Sequence, residues 1–209
     1  MLPASPEIRV CENCSGLIEQ FSLMSGNTFG ATYWTDGKMD APMLPELSEF
    51  VKCRHCKSLL WINEQEELPE GGKKGLGFFS IKRAVPYLNP TFDDLLKGAD
   101  ENSLDKGREI YLRVRTWWKG NDRRRQDNES DQPLSDKEVE NLKTLLEMLD
   151  ENNEHDRILK AEILRELGQF EAAMEMLNVI FDEEVAQAVA QINELSEKGD
   201  YVIREFVFK

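Results

Sequence analysis

Four cysteines fall in two Cys-x-x-Cys pairs, Cys11 with Cys14 and Cys53 with Cys56, and the 209-residue chain has no others. Each pair sets two thiols on one tight turn, and the 38 intervening residues (15–52) are enough to fold back and bring the turns together. Four soft sulfur donors around one point predict a single structural zinc ion, held tetrahedrally by Cys11, Cys14, Cys53 and Cys56. A β-segment this small needs such a staple to fold. Two Cys-x-x-Cys pairs also suit iron, an iron–sulfur cluster or disulfides, and the sequence alone leaves these open. His55 lies inside the second pair as a spare donor, but the four sulfurs complete a set without it.

Compartment bears on the choice between metal and disulfide. Met1–Glu12 lacks the basic start and apolar stretch of a secretory signal. The longest apolar runs, such as Leu59–Ile62, are far below the roughly 20 residues of a membrane-spanning helix. The expectation is a cytoplasmic protein, in which closely spaced thiols serve as metal ligands.

The net charge of −14 is unevenly placed. Residues 1–99 carry 10 Lys+Arg against 13 Asp+Glu, residues 100–125 carry 8 against 5, and residues 126–209 carry 8 against 22. The segment charges are therefore −3, +3 and −14. So acidic a C-terminal part disfavours phosphate backbones and anionic membranes as ligands and suits a partner protein with a basic surface.

Periodicity divides the chain into an α+β arrangement with a β module over residues 1–63, a linker over 64–90 and an acidic helical module over 91–209. Glu7–Val10 and Ser58–Ile62 read as strands beside the two cysteine pairs. Thr28–Thr35, between the turn signals Ser25-Gly26-Asn27 and Asp36-Gly37, reads as part of a hairpin. Its aromatic residues Phe29, Tyr33 and Trp34 are expected to cover the metal loop or, some of them, to form a contact surface instead. Glu64–Gly77, with its glycines and Pro69, reads as a flexible connection. Downstream, Thr91 and Asp94 mark a helix start, and a helix is expected from about Ser103 to Lys119, followed by a polar link over 120–133. Ser135 and Glu138 form a capping box before Val139, Leu142, Leu145, Leu146 and Leu149. Further helices are expected over about 155–167, from about Phe170, and over about 183–198. Gly168 stops the first of these and Gly199-Asp200 the last. Tyr201–Phe208 reads as a terminal strand.

The two cysteine pairs resemble the knuckles of zinc ribbons, in which each knuckle caps a β-hairpin; the likeness covers about residues 8–62 and implies metal ligation alone. Where the typical ribbon knuckle has glycine directly after its second cysteine, this chain has Ser15-Gly16 and Lys57-Ser58. The stretch Ser25–Glu46 also resembles one in bacterial proteins where it likewise sits between paired cysteines, with no activity attached to it. Leu167-Gly168-Gln169-Phe170-Glu171-Ala172-Ala173 resembles the turn and second-helix start of one tetratricopeptide unit, although Arg157 stands where that motif has an aromatic residue. A second copy about 34 residues away is missing, so a helical hairpin, not a repeat array, is implied.

Functional groups outside the cysteines are sparse. His55 and His155 are the only histidines, and no phosphate loop, nucleophile elbow or paired-histidine metal motif occurs. Gly71–Gly77 lacks the P-loop spacing. Arg113–Arg125 mixes cations with Trp117 and Trp118, as a nucleic-acid-binding surface does. At helical spacing, however, Ile110, Val114, Trp117 and Trp118 turn to one side and enter a core, leaving Arg123–Arg125 as an exposed helix end. Glu171, Glu175, Asp182, Glu183 and Glu184 are candidates for an acidic contact face. These features together predict a non-enzymatic, zinc-binding interaction module of bacterial type, an adaptor or a toxin-neutralising (immunity) inhibitor. The alternative is a nucleic-acid-binding zinc-ribbon protein using Arg113–Arg125.

Overall fold

The computed structural model describes residues 1–68, 84–101, 104–126 and 132–207. Much of the expected connection Glu64–Gly77, including Gly71–Gly77, lies outside them, as do Ser103 and Phe208. The fold is α+β, and the chain divides into two compact units: Met1–Ala31 with Ala41–Asp94, and Thr32–Asp40 with Leu95–Lys209.

The first unit is built from short strands. β2 (Glu7–Val10) pairs antiparallel with β3 (Leu17–Gln20), and the chain between them carries Cys11 and Cys14. β7 (Phe50–Lys52) pairs antiparallel with β8 (Leu59–Trp61) around Cys53 and Cys56. Each cysteine turn thus caps its own hairpin. β1 (Leu2–Pro3) pairs with β4 (Leu23–Ser25) in a separate two-stranded sheet. β9 (Glu66–Glu67) adds to β2 antiparallel and β10 (Val85–Pro86) adds to β3 parallel, giving the sheet order β10-β3-β2-β9 from residues that the sequence assigns to the linker. The core is correspondingly small: Ile18, Val51, Leu60 and Ile62 close around the buried Cys11 and Cys53, with Tyr87 packed on them. Phe50 and Trp61, opposite one another in the β7–β8 register, stack with ring centroids 5.2 Å apart. α1 (Phe92–Ala99) starts where expected: Asp94 N–H donates to Thr91 Oγ1 and Thr91 N–H to Asp94 Oδ2.

The second unit is helical, with one hairpin set into it. α2 (Lys106–Gln126), α3 (Asp136–Met148), α4 (Glu154–Glu166), α5 (Phe170–Leu177) and α6 (Ala186–Glu197) follow in order. The Ser135/Glu138 capping box opens α3, so Leu142, Leu145 and Leu149 turn inward against Trp117 and Ile163. A second cluster gathers Ile158, Ala161, Leu177 and Ile192 from α4, α5 and α6. Gly168 and Gly199 take positive φ after α4 and α6, where the amides that follow close back on the helices: Gly168 on Arg165 O and Gln169 on Leu164 O, then Gly199 on Ser196 O and Asp200 on Leu195 O.

Two expectations need correction here. α2 does not stop at Lys119 but runs to Gln126, because Asn121, Arg124 and Arg125 find buried partners that hold the added turns. The hairpin β5 (Thr32–Tyr33) to β6 (Met39–Asp40) belongs to the helical unit and not to the unit that holds the cysteines, and Phe29 just before it is 85% exposed. Its loop is a tight turn in which Trp34 N–H donates to Lys38 O and Gly37 N–H to Trp34 O, with Gly37 at φ +79°. The tail meets this hairpin through a single antiparallel bridge, Glu205 to Trp34, flanked by Thr35 N–H to Arg204 O and Phe206 N–H to Tyr33 O. No helix among the described residues is long and apolar enough to cross a membrane.

Candidate metal centre

Backbone hydrogen bonds shape both cysteine turns alike. In the first, Ser15 N–H donates to Cys11 O at 2.7 Å and Cys11 N–H to Gly16 O at 3.0 Å. In the second, Lys57 N–H donates to Cys53 O at 2.9 Å and Cys53 N–H to Ser58 O at 2.8 Å. The residue after each second cysteine takes positive φ, 55° at Ser15 and 66° at Lys57. Ser15 and Lys57 therefore adopt a backbone conformation that favours glycine without being glycine, at a cost of roughly 1–2 kcal/mol each.

These turns bring all four sulfurs within 4.8 Å of one another. Cys11 Sγ lies 3.7 Å from Cys56 Sγ, and Cys14 Sγ 3.9 Å from Cys53 Sγ. Sulfurs about 2.3 Å from a tetrahedral ion sit about 3.8 Å apart, so the cage already has the dimensions of a four-thiolate site. The same separations are far too long for disulfides, and the four cysteines are free thiols. The predicted ligands Cys11, Cys14, Cys53 and Cys56 are thus brought together in an arrangement that can hold a metal ion.

Cys11 and Cys56 are mismatched as acids. Burial pushes the Cys11 thiol up to about 12, while the Ser58 hydroxyl and backbone amide beside Cys56 bring its thiol down to about 6. A divalent cation resolves that mismatch by stabilising every thiolate at once. His55 does not enter the sulfur cage but directs Nε2 to Leu17 O at 3.2 Å, linking the second knuckle to the strand that leaves the first. Its ring lies so close to Gly16 that a Cβ there would fall 2.5 Å from His55 Cδ2. The glycine after Ser15 serves this contact.

The arginine stretch is put to structural use in the helical unit. Arg124 and Arg125 are not an exposed helix end: each side chain is 4% exposed. Arg124 donates to Glu138 Oε1 at 2.8 Å, and Arg125 pairs with the fully buried Asp36. Arg113 is held by Glu109 at 2.8 Å and Asp100 at 3.1 Å. Arg115 lies over the Tyr111 and Trp118 rings, and Arg123 reaches Glu138.

A second buried group gives the sequence no apolar signal. Glu162, Arg165 and Glu166 sit on α4 and are all buried. Arg165 binds Glu162 through two hydrogen bonds, of 2.8 and 2.5 Å, and also donates to Asp200 O and to Thr35 Oγ1. Glu166 accepts from Trp117 Nε1 at 3.1 Å and from Asn121 Nδ2 at 3.1 Å, and the same Asn121 amide donates to Asp36. Desolvation, with Glu162 and Asp36 close by, pushes Glu166 up to about 8. Burial also raises Asp36, against the pull of Arg125. Three carboxyls thus share two guanidiniums, an imbalance that favours the protonated form of a carboxyl here.

Comparison of the chain with family models, curated proteins and solved structures yields no match, so its assignment rests on this geometry and on the four-cysteine cage.

Proposed function

We propose that the chain is a non-enzymatic, zinc-stabilised module that binds a basic surface of another protein through its acidic helical unit. Zinc is the natural occupant of an all-thiolate cage because it accepts soft donors in tetrahedral geometry and needs no redox partner. Four protein ligands leave no open position for catalysis, so the ion's role is to hold two hairpins together.

The observation that carries the interaction reading is how the charge is spent. The basic segment is consumed internally, with Arg113, Arg124 and Arg125 committed to carboxylates, whereas among the described residues the exposed Glu171, Glu175, Asp182, Glu183 and Glu184 pair with no cation. That removes the motive for the nucleic-acid alternative, which needed Arg113–Arg125 at the surface. Adaptor and toxin-neutralising inhibitor are two forms of the same activity, since an acidic surface can occupy a basic active site. The helical hairpin α4–α5, with its tetratricopeptide-like sequence, is the natural place to receive a partner segment.

The test is co-purification of the full chain from native lysate with mass spectrometry, alongside elemental analysis. The expected result is one zinc per chain and a basic protein released by raised salt. A chain that retains nucleic acid in a gel shift, or turns over a substrate with no protein partner, overturns the reading.

A further inference from the structure

The helical unit contains an apolar cavity of about 280 Å³, walled by Val114, Trp118, Ile158, Val185, Ala188 and Phe206. The exposed His155 is at its edge. A cavity of about 150 Å³ accommodates benzene, so this one has room for a bulky side chain together with the methylenes that carry it.

The surroundings specify the charge of that visitor. Glu154, next to His155, accepts the Asp182 N–H at 2.7 Å and so fixes the α5–α6 loop against the start of α4. The loop delivers Asp182, Glu183 and Glu184, all exposed, immediately before the wall residue Val185. Among the described residues no cation pairs with these three acids. The same loop exposes Val179 (47%) and Ile180 (100%). An apolar loop tip and three uncompensated carboxylates thus lead directly into Val185 and Ala188, two of the cavity's wall residues.

We infer that this cavity is the anchor site for a partner segment bearing one bulky apolar side chain flanked by Lys or Arg. The apolar side chain fills the space beside Trp118 and Ala188, and its basic neighbours meet Asp182–Glu184. The inference rests on the basic-partner reading above and adds where and by what chemistry that partner is held.

Fluorescence anisotropy on the zinc-loaded full chain tests it with three labelled peptides: a Lys/Arg-rich peptide with one central Phe, the same peptide with central Ala, and a Glu-flanked peptide with central Phe. The first should bind. Central Ala, or Ala188→Phe in the protein, should each weaken it about ten-fold or more. Asp182→Asn with Glu183→Gln and Glu184→Gln should weaken it and flatten its salt dependence. Should Ala188→Phe disturb folding, a central bromophenylalanine quenching tryptophan emission in the unaltered cavity, with the quench lost in Trp118→Phe, reads the same contact. Equal binding of the Phe and Ala peptides, unaffected by Ala188→Phe, overturns the anchor site and leaves the basic-partner reading standing. Equal binding of the Glu-flanked peptide overturns the basic occupant. No binding of either Lys/Arg-rich peptide overturns both.

Discussion

The two units of this chain bury polar groups in opposite ways. The strand unit encloses two thiols, Cys11 and Cys53, at the centre of a core with few other residues, and gathers all four cysteine sulfurs in an arrangement that can hold a metal ion. The helical unit encloses Asp36, Glu162, Glu166, Arg125 and Arg165 and balances them against one another. The lesson is that a small core can be completed by a ligand and a large one by its own side chains, so the two units should fail under different treatments.

Metal removal should separate them most sharply. Structural four-ligand zinc sites contribute about 10–16 kcal/mol of apparent binding energy, a large share of the stability of a unit whose buried apolar cluster is as small as that around Ile18 and Val51. A chelator, or Cys53→Ser at a fully buried ligand, should abolish the bound metal and make residues 1–68 protease-sensitive while the helical signal at 222 nm persists. Loss of helix and strand together would break the contrast.

The helical unit should instead fail when its ion balance is cut. Arg165→Met leaves Glu162 buried without its partner, a change expected to cost about 3–5 kcal/mol in urea denaturation with zinc content unchanged. A cost under about 1 kcal/mol would mean that the group is not the closed network described.

The proton on Glu166 gives the same contrast a pH dependence. Its folded value near 8 lies above the usual 4.5, so the stability it contributes is fully present below the usual value and is lost as pH rises to about 8. The loss should be on the order of a few kcal/mol, and Glu166→Gln, which keeps a hydrogen-bonding group beside Trp117 and Asn121, should remove most of it. Thermal melts of both proteins at pH 5 and pH 8 check this: parallel pH profiles would show that Glu166 is not the proton carrier.

Legibility followed the same division. The metal cage was readable because Cys-x-x-Cys spacing maps directly onto a turn, and the helix caps at Thr91, Ser135 and Gly168 because caps are local chemistry. The buried ion network was not readable, since helical periodicity places Glu162 and Glu166 off the apolar stripe of Ile158, Ala161 and Leu164, a position normally in water, while Arg165 falls in line with that stripe as a residue type seldom buried. α4 is enclosed on both sides: Arg165 meets Thr35 of the hairpin, and Glu166 meets Trp117 and Asn121 of α2. Asp36-Gly37 was correctly a turn, yet nothing local reveals that Asp36 awaits Arg125, 89 residues later.

The knuckles offer the finest adjustment of the comparison, because their strain is local and does not depend on the helical unit. Ser15 and Lys57 hold positive φ that glycine adopts freely, whereas Gly16 lacks the Cβ that would strike His55. Ser15→Gly and Lys57→Gly should therefore each leave stability unchanged or raise it by up to about 1 kcal/mol, the relief of strain being partly offset by the freer unfolded chain. Gly16→Ala should act oppositely, since His55 must swing away and give up its bond to Leu17 O, at a cost of about 1–3 kcal/mol. Competition with a zinc chelator reads all three, with affinity held or raised by the first two and lowered by the third. If Gly16→Ala binds zinc as tightly as the unaltered chain, His55 is a bystander and the four sulfurs alone set the cage.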